Sequence, residues 1–278
     1  MVLRVSKIAQ FPEERLPMPV TIEGVPLKCF SFPSGERHVQ IPEITPGHKE
    51  IFVNLDFRVS DDIIDWLLVD DVLASRGLTY TLYVPYMPFS RQDRRTDALS
   101  PFSLERFHRL LQISACTKVV TFDLHSNVME TMASAVYELV NYEMHNLIGG
   151  ALGSERLATI GSFASPDKGA TEKVQKCSTE WNKPIAYQGI KNRDPITGQI
   201  TSFGVECLLS VTPDAPILVA DDLCDGGGTF IALADAIRKS PTYRGQPLWL
   251  YVTHGLFTKG LEPLKKAGYE EIFSYIWR

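Results

Sequence analysis

The apolar positions of this chain fall into short continuous runs, and the stretches between the runs repeat at helical spacing. Glu50-Ile51-Phe52-Val53-Asn54-Leu55 is one such run, and beyond it Ile63, Ile64, Trp66, Leu67 and Leu68 recur along one side of a helix that starts near Ser60. The Ser60 hydroxyl, followed by Asp61 and Asp62, is expected to cap that helix. Thr79 to Val84 reads as the next strand and stops at Pro85, after which Leu104, Phe107, Leu110 and Leu111 mark a helix over Ser103 to Ile113. A further strand is expected at Thr117 to Leu124. The same rhythm returns with strands expected at Ala158 to Ala164, Pro184 to Ile190, Pro216 to Ala220 and Leu248 to Thr253, and with a last strand-like run at Ile272 to Ile276. Strands alternating with helices imply an α/β protein whose mainly parallel sheets carry helices on both faces.

With 278 residues, 44% of them hydrophobic, the chain is long enough for two domains of roughly 130 residues each. The division is expected between Asn141 and Ser154, where Gly149-Gly150 and Gly153 interrupt the pattern, giving units 1–145 and 146–278. A formal net charge of -5 provides no electrostatic footprint for nucleic acid or an anionic membrane surface, so neither is expected as a partner. Five cysteines without CxxC spacing argue against a disulfide framework and a zinc site, and Cys224 reads as a small buried residue. No run approaches the ~18 apolar residues of a membrane span, and the N-terminal residues do not read as a targeting segment. A cytoplasmic protein is expected.

In sheets of this kind ligands bind beyond the carboxyl ends of the strands, which directs attention to polar residues that follow apolar runs. Pro216 to Ala220 is followed at once by Asp221 and Asp222, then by Asp225, Gly226, Gly227, Gly228 and Thr229, with an apolar helix beginning at Phe230. Glycines let backbone N–H groups converge on an anion, and the helix adds its positive dipole end, which suits a phosphate monoester. The paired carboxylates suit either vicinal hydroxyls or an indirectly held Mg²⁺. A ribose phosphate offers both partners.

Leu218-Val219-Ala220-Asp221-Asp222 with Asp225-Gly226-Gly227-Gly228-Thr229 resembles the ribose 5-phosphate loop of the type I phosphoribosyltransferase fold, which phosphoribosyltransferases share with ribose-phosphate diphosphokinases. The first half of the chain favours the diphosphokinases. Pro85-Tyr86 with Ser90-Arg91-Gln92-Asp93-Arg94-Arg95 is similar to their Pro-Tyr and Arg-Gln-Asp element, set against the ATP phosphates, and guanidinium groups suit that role because each can clamp two oxygens. Phe32-Pro33-Ser34-Gly35-Glu36 is similar to the family's adenine element, with Ser34 where the family carries an acid. Asp123-Leu124-His125, Ser165-Pro166-Asp167-Lys168-Gly169-Ala170, Lys191-Asn192-Arg193 and Thr253-His254-Gly255-Leu256-Phe257 resemble further family elements in the family's order.

This resemblance implies two tandem phosphoribosyltransferase-like domains, the first for ATP and the second for the ribose phosphate. It implies adenine at Phe32, Ser34 and Glu36, the triphosphate along Arg91, Gln92 and His125, and Mg²⁺ at His125 and Asp167. It also implies the sugar hydroxyls at Asp221 and Asp222, the 5-phosphate at Asp225 to Thr229, and catalytic roles for Lys191 and Arg193 on a mobile loop. The β,γ-diphosphate of ATP would pass to the C1 hydroxyl of ribose 5-phosphate, and a homo-oligomer is expected. One departure bears on the acceptor. Gly226 stands where the family usually carries Thr, which removes a phosphate donor and opens space. A larger 5-phosphoribosyl acceptor such as ADP-ribose is therefore a second expectation, which would connect the chain to NAD metabolism. A catalytically silent regulatory subunit of the same fold and a base phosphoribosyltransferase are the remaining readings.

Overall fold

A computed structural model describes residues 20–44, 50–133, 136–193, 200–209 and 214–277, without the side chains at 192–193 and 200–202. The chain forms two compact units, Met1–Tyr142 and Glu143–Arg278.

In the first unit the elements are β1 (Val20–Ile22), β2 (Val25–Pro26), β3 (Lys28–Ser31), β4 (Arg37–Gln40), β5 (Phe52–Leu55), α1 (Ser60–Ser75), β6 (Tyr80–Tyr83), α2 (Ser103–Ile113), β7 (Cys116–Phe122), α3 (Val128–Ala133) and β8 (Glu138–Tyr142). Their main sheet has the order β2-β1-β5-β6-β7-β8, parallel from β5 to β8 and antiparallel where β1 joins β5 and β2. The β3–β4 hairpin stands apart as a two-stranded sheet. A single core holds the unit together, with Trp66, Leu73, Phe107 and Leu82 among its fully enclosed side chains. Each such side chain contributes roughly 1.5–3 kcal/mol through burial.

In the second unit the elements are α4 (Met144–Leu152), α5 (Ser154–Thr159), β9 (Ser162–Ser165), α6 (Thr171–Glu180), β10 (Ile185–Arg193), β11 (Ile200–Cys207), β12 (Ile217–Cys224), α7 (Gly228–Lys239), β13 (Leu248–Gly255), α8 (Glu262–Lys266) and β14 (Tyr269–Trp277). The sheet order is β11-β10-β9-β12-β13-β14, parallel except at the β10–β11 edge. Because successive strand residues point to opposite faces, Ile217 and Val219 enter one core with Phe230, Leu233 and Ile237 of α7, whereas Leu218 and Ala220 enter another with Ile148 of α4 and Val174 of α6. The continuous apolar run in β12 is thus the signature of a strand covered on both sides.

The α/β expectation holds, and several local expectations are corrected. Ser60 is the first helical residue and caps nothing. Asp62 instead reaches back to the two residues before α1, its Oδ2 accepting from Arg58 N at 2.6 Å and Val59 N at 2.8 Å. The strand expected at 158–164 begins only at Ser162, since 154–159 is helical. Gly149 and Gly150 do not break the chain but lie inside α4. A Cβ at Gly149 would stand 3.2 Å from the Trp181 ring and one at Gly150 3.2 Å from the Tyr275 ring, so here the glycines admit large neighbours.

The hairpin that carries Phe32 and Glu36 is tied down by Val39, which enters the core, and by a charged grip. Arg37 of β4 grips the fully buried Asp65 of α1 with both Nε, at 2.9 Å, and a terminal guanidinium nitrogen. Removing one partner of a buried pair leaves the other charge without compensation. Arg37→Met is expected to lower unfolding stability by about 3 kcal/mol, measured in urea, while Lys239→Met, which cuts the exposed Lys239–Asp235 pair, leaves the midpoint unchanged.

Candidate active site

In the second unit the residues expected to bind the sugar phosphate lie at the carboxyl end of β12 and in the turn that follows it. The strand continues to Cys224, so Asp221 and Asp222 sit on the strand itself, where backbone pairing with β13 holds them in place. Asp222 is buried, with Oδ2 3.5 Å from Lys173 Nζ of α6, and its N–H donates to Asp221 Oδ1 at 2.9 Å. Burial pushes the Asp221 carboxyl well above the usual carboxylate range, and the adjacent Asp222 and the charge of Asp167 push it further. Cys224 is fully buried, and burial raises its thiol to about 12, in line with a packing role; all five cysteines are free thiols.

Beyond Cys224 the chain turns into α7. Gly227 adopts a left-handed φ of 76° at the N-cap, a conformation that glycine takes without strain, and a Cβ there would come within 3.1 Å of Leu264. Gly228 and Thr229 open the 12-residue helix, so their N–H groups lack helical acceptors and face the positive end of the dipole. Asp225 is held differently from its neighbours: Oδ1 accepts from Thr258 Oγ1 at 2.7 Å and its carbonyl accepts from Thr258 N at 3.2 Å. A carboxylate used in this way joins the loop to the 256–260 turn.

The Ser165–Thr171 segment follows β9 and is shaped by hydrogen bonds to one residue. Ser165 Oγ at 2.6 Å and Thr171 Oγ1 at 3.1 Å donate to the Asp167 carbonyl, while Gly169 N and Ala170 N donate to Asp167 Oδ1 at 2.9 and 3.1 Å. The other carboxylate oxygen, Oδ2, is paired with Lys191 Nζ. Burial alone would raise the Asp167 pKa, but the Lys191 hydrogen bond and charge, with the two backbone N–H groups, outweigh it and hold the carboxyl below its ordinary range. Asp167, Lys168, Gln188, Lys191 and Glu206 line an open cleft of about 470 Å³. Arg193 ends β10, and its side chain lies outside the described residues, as do 194–199 of the expected mobile loop.

The ATP-side residues belong to the first unit. Phe32 is exposed at the tip of the β3–β4 hairpin and forms a three-ring cluster with Phe30, at 5.3 Å between centroids, and His38, at 5.8 Å. Ser34 Oγ donates to Glu36 Oε2 at 2.6 Å, so the serine orients the remaining acid. Arg91 and Gln92 are exposed on the loop before α2, where the Gln92 Oε1 is already engaged by Ser103 Oγ at 2.6 Å. His125 is exposed just after β7, next to the buried Asp123, whose N–H is bound to the Tyr142 carbonyl.

Within each unit, then, the structure brings expected residues together: Asp167 with Lys191 and the two aspartates of β12, and Phe32 with Ser34 and Glu36. Chemically, the second unit offers two adjacent carboxyls, of which Asp221 resists ionisation, a glycine turn that opens a helix, and an ammonium at the cleft. Lys173, Thr258, Arg37 and Asp65 were not singled out in the sequence. Nothing in their local pattern marks them, because each acquires its role from a partner distant in the chain.

No protein-family model matches the chain. The chain is 27% identical over 241 residues to the ribose-phosphate pyrophosphokinase of Pyrococcus furiosus, which spans 85% of this chain and 80% of that one. To the ribose-phosphate pyrophosphokinase of Mycoplasma pneumoniae it is 26% identical over 279 residues, 98% of this chain and 79% of that one. Among solved structures it superposes on the phosphoribosylpyrophosphate synthetase of Mycobacterium smegmatis with a TM-score of 0.71 at 21% identity, over 89% of this chain and 78% of that one. Two mixed, mainly parallel six-stranded sheets flanked by helices match the fold of that synthetase.

The raised Asp221 pKa makes a stability prediction whose sign is determined by linkage. The unfolded chain loses this proton in the ordinary carboxylate range and the folded chain only at higher pH, so stability falls as pH rises through that interval. Asp221→Asn is expected to unfold at the same temperature as the unaltered protein near pH 4 and roughly 2–4 °C higher near pH 8, followed by thermal melts across that range.

Proposed function

We propose, on the premise that the chain is a distant homologue of the ribose-phosphate pyrophosphokinases over most of its length, that it transfers the β,γ-diphosphate of ATP to the C1 hydroxyl of ribose 5-phosphate and releases AMP. The observation that carries this reading is the grouping in one unit of Lys191, Asp167, Asp221 and Asp222 beside a glycine turn that opens a helix. Diphosphoryl transfer asks for positioning and charge neutralisation more than covalent catalysis, and these groups provide both.

In this reading the first unit receives ATP: adenine lies against Phe32 with Glu36 toward its amine, and Arg91, Gln92 and His125 meet the triphosphate. In the second unit Asp221 and Asp222 hold the 2- and 3-hydroxyls of the ribose through hydrogen bonds. The N–H groups from Gly227 to Thr229 hold the 5-phosphate. The C1 hydroxyl then attacks the β-phosphorus in line as the bond to the AMP oxygen breaks, with Lys191 and Arg193 stabilising the charge that develops there.

Asp167 is the side chain suited to Mg²⁺. It is ionised, lies at the cleft and is one carboxylate, and Mg²⁺ is ordinarily held by one or two carboxylates together with substrate phosphates. Among the described residues no group of three or more His, Cys, Asp or Glu side chains could form an all-protein cage. When bound, the ion would neutralise phosphate charge. His125, the other metal residue implied by the resemblance, carries an imidazole better matched to phosphate oxygens than to an oxygen-preferring ion. A homo-oligomer acting in the cytosol, where ATP is supplied, completes the proposal.

Two measurements test it. Incubation with Mg-ATP and either ribose 5-phosphate or ADP-ribose, followed by AMP quantitation and product mass, is expected to show AMP and a 1-diphospho sugar with ribose 5-phosphate. AMP only with ADP-ribose would replace the acceptor, and no AMP with either would refute the activity. Lys191→Ala is expected to lower kcat by about 10²–10³-fold while leaving the fold intact by circular dichroism; near-normal turnover would remove Lys191 from the mechanism.

A further inference from the structure

The space expected over Gly226 is occupied. A methyl group in place of its hydrogen would lie 3.4 Å from Lys259 Cε, 3.6 Å from Cδ and 3.9 Å from Cγ, so three consecutive carbons of the lysine run along the glycine. The ammonium is one bond beyond Cε. This placement is imposed by the backbone around it. Leu256 N and Phe257 N donate to the Cys224 carbonyl at 2.9 and 3.1 Å, Thr258 N donates to the Asp225 carbonyl at 3.2 Å, and Thr258 Oγ1 donates to Asp225 Oδ1 at 2.7 Å. Gly260 N closes the turn on the Phe257 carbonyl at 2.7 Å. Four hydrogen bonds therefore fasten the residues before Lys259 to the segment that leads into Gly226.

A lysine on an exposed turn ordinarily projects into water, often beside an acidic residue. Lys259 is exposed, yet its stem follows the first of the three loop glycines, and among the described residues no carboxylate lies within 4.0 Å of its nitrogen. A Cβ at position 226 would rest in van der Waals contact with that stem. Gly226 and Lys259 are thus neighbours: where the loop lacks a hydroxyl donor, a cation lies alongside.

We infer that Lys259 is a phosphate-binding residue that supplies, from the neighbouring turn, the positive charge for the 5-phosphate of the acceptor at the Gly226 position. The inference rests on the proposed function for the identity of the ligand. An ammonium contacts a free monoester or an esterified 5-phosphate through the same charge-assisted hydrogen bonds, and a free monoester, with the higher charge on that phosphate, gains more from it.

Lys259→Ala is expected to raise the KM for the acceptor about 10–100-fold, with kcat at saturation and the KM for ATP little changed and the unfolding midpoint unaltered. Lys259→Arg retains most of the acceptor affinity. An unchanged acceptor KM in Lys259→Ala, or an equal rise for ATP, would overturn the assignment. Binding separates this outcome from failure of the activity itself. Should the unaltered protein release no AMP, calorimetric titration with ribose 5-phosphate, ribose and ADP-ribose still decides the question. Weaker binding of either phosphorylated sugar by the alanine variant supports Lys259. Equal affinity in the two proteins, or no binding of either phosphorylated sugar by the unaltered protein, rejects it.

Discussion

Three carboxylates withdrawn from water in one unit set the terms for everything else at the sugar side. Asp167, Asp221 and Asp222 feel one another, and a buried negative charge persists only with a cation, a set of N–H donors or a proton beside it. Each finds a different solution. Asp167 takes Lys191 and two backbone N–H groups, Asp222 takes Lys173 from α6, and Asp221, pushed above the usual carboxylate range, accepts from the Asp222 N–H. In the proposed reaction these are also the groups that substrates must engage. An incoming diphosphate would compete with Asp167 for Lys191, so the ion pair holds the ammonium at the cleft until a more highly charged partner arrives.

The sheet makes this concentration of charge feasible. Parallel strands β9, β12 and β13 are covered by helices on both faces, and that continuous apolar interior provides the rigidity on which polar residues at the strand ends can be placed. Asp167 lies just beyond β9 and the aspartate pair near the end of the adjacent β12. The strand order thus brings to one edge residues separated by more than fifty positions in the chain. In the first unit the exposed hairpin has no such sheet beneath it, and the Arg37–Asp65 grip provides its attachment to α1.

Much of the framework was legible along the chain because it follows from local rules. Continuous apolar runs marked the major parallel strands, apolar residues at helical spacing marked α1 and α2, the apolar stretch from Phe230 marked α7, and the adjacency of Asp221 and Asp222 to an apolar run marked the candidate site. Short or polar elements escaped that reading. β3, β4 and α8 bury too little apolar surface to leave a period, and α4 was obscured by Gly149 and Gly150, whose reason for being glycine lies in the Trp181 and Tyr275 rings. The Ser60 cap failed because the helix starts at Ser60 itself, with Val59 in the N-cap position, and the Asp62 carboxylate turns back to the N–H groups of Arg58 and Val59.

By itself the sequence determined the α/β class, the two-part organisation of its pattern and the kinds of groups that would carry chemistry, since these depend on residue type and short-range spacing. Only the tertiary structure decided the state of those groups: which aspartate is pushed above the usual carboxylate range, that Asp225 is committed to Thr258, and that the stem of Lys259 borders Gly226. Charge states and filled volumes depend on distances between residues far apart along the chain, and those distances are set by packing. Spacing in the sequence carries no record of them.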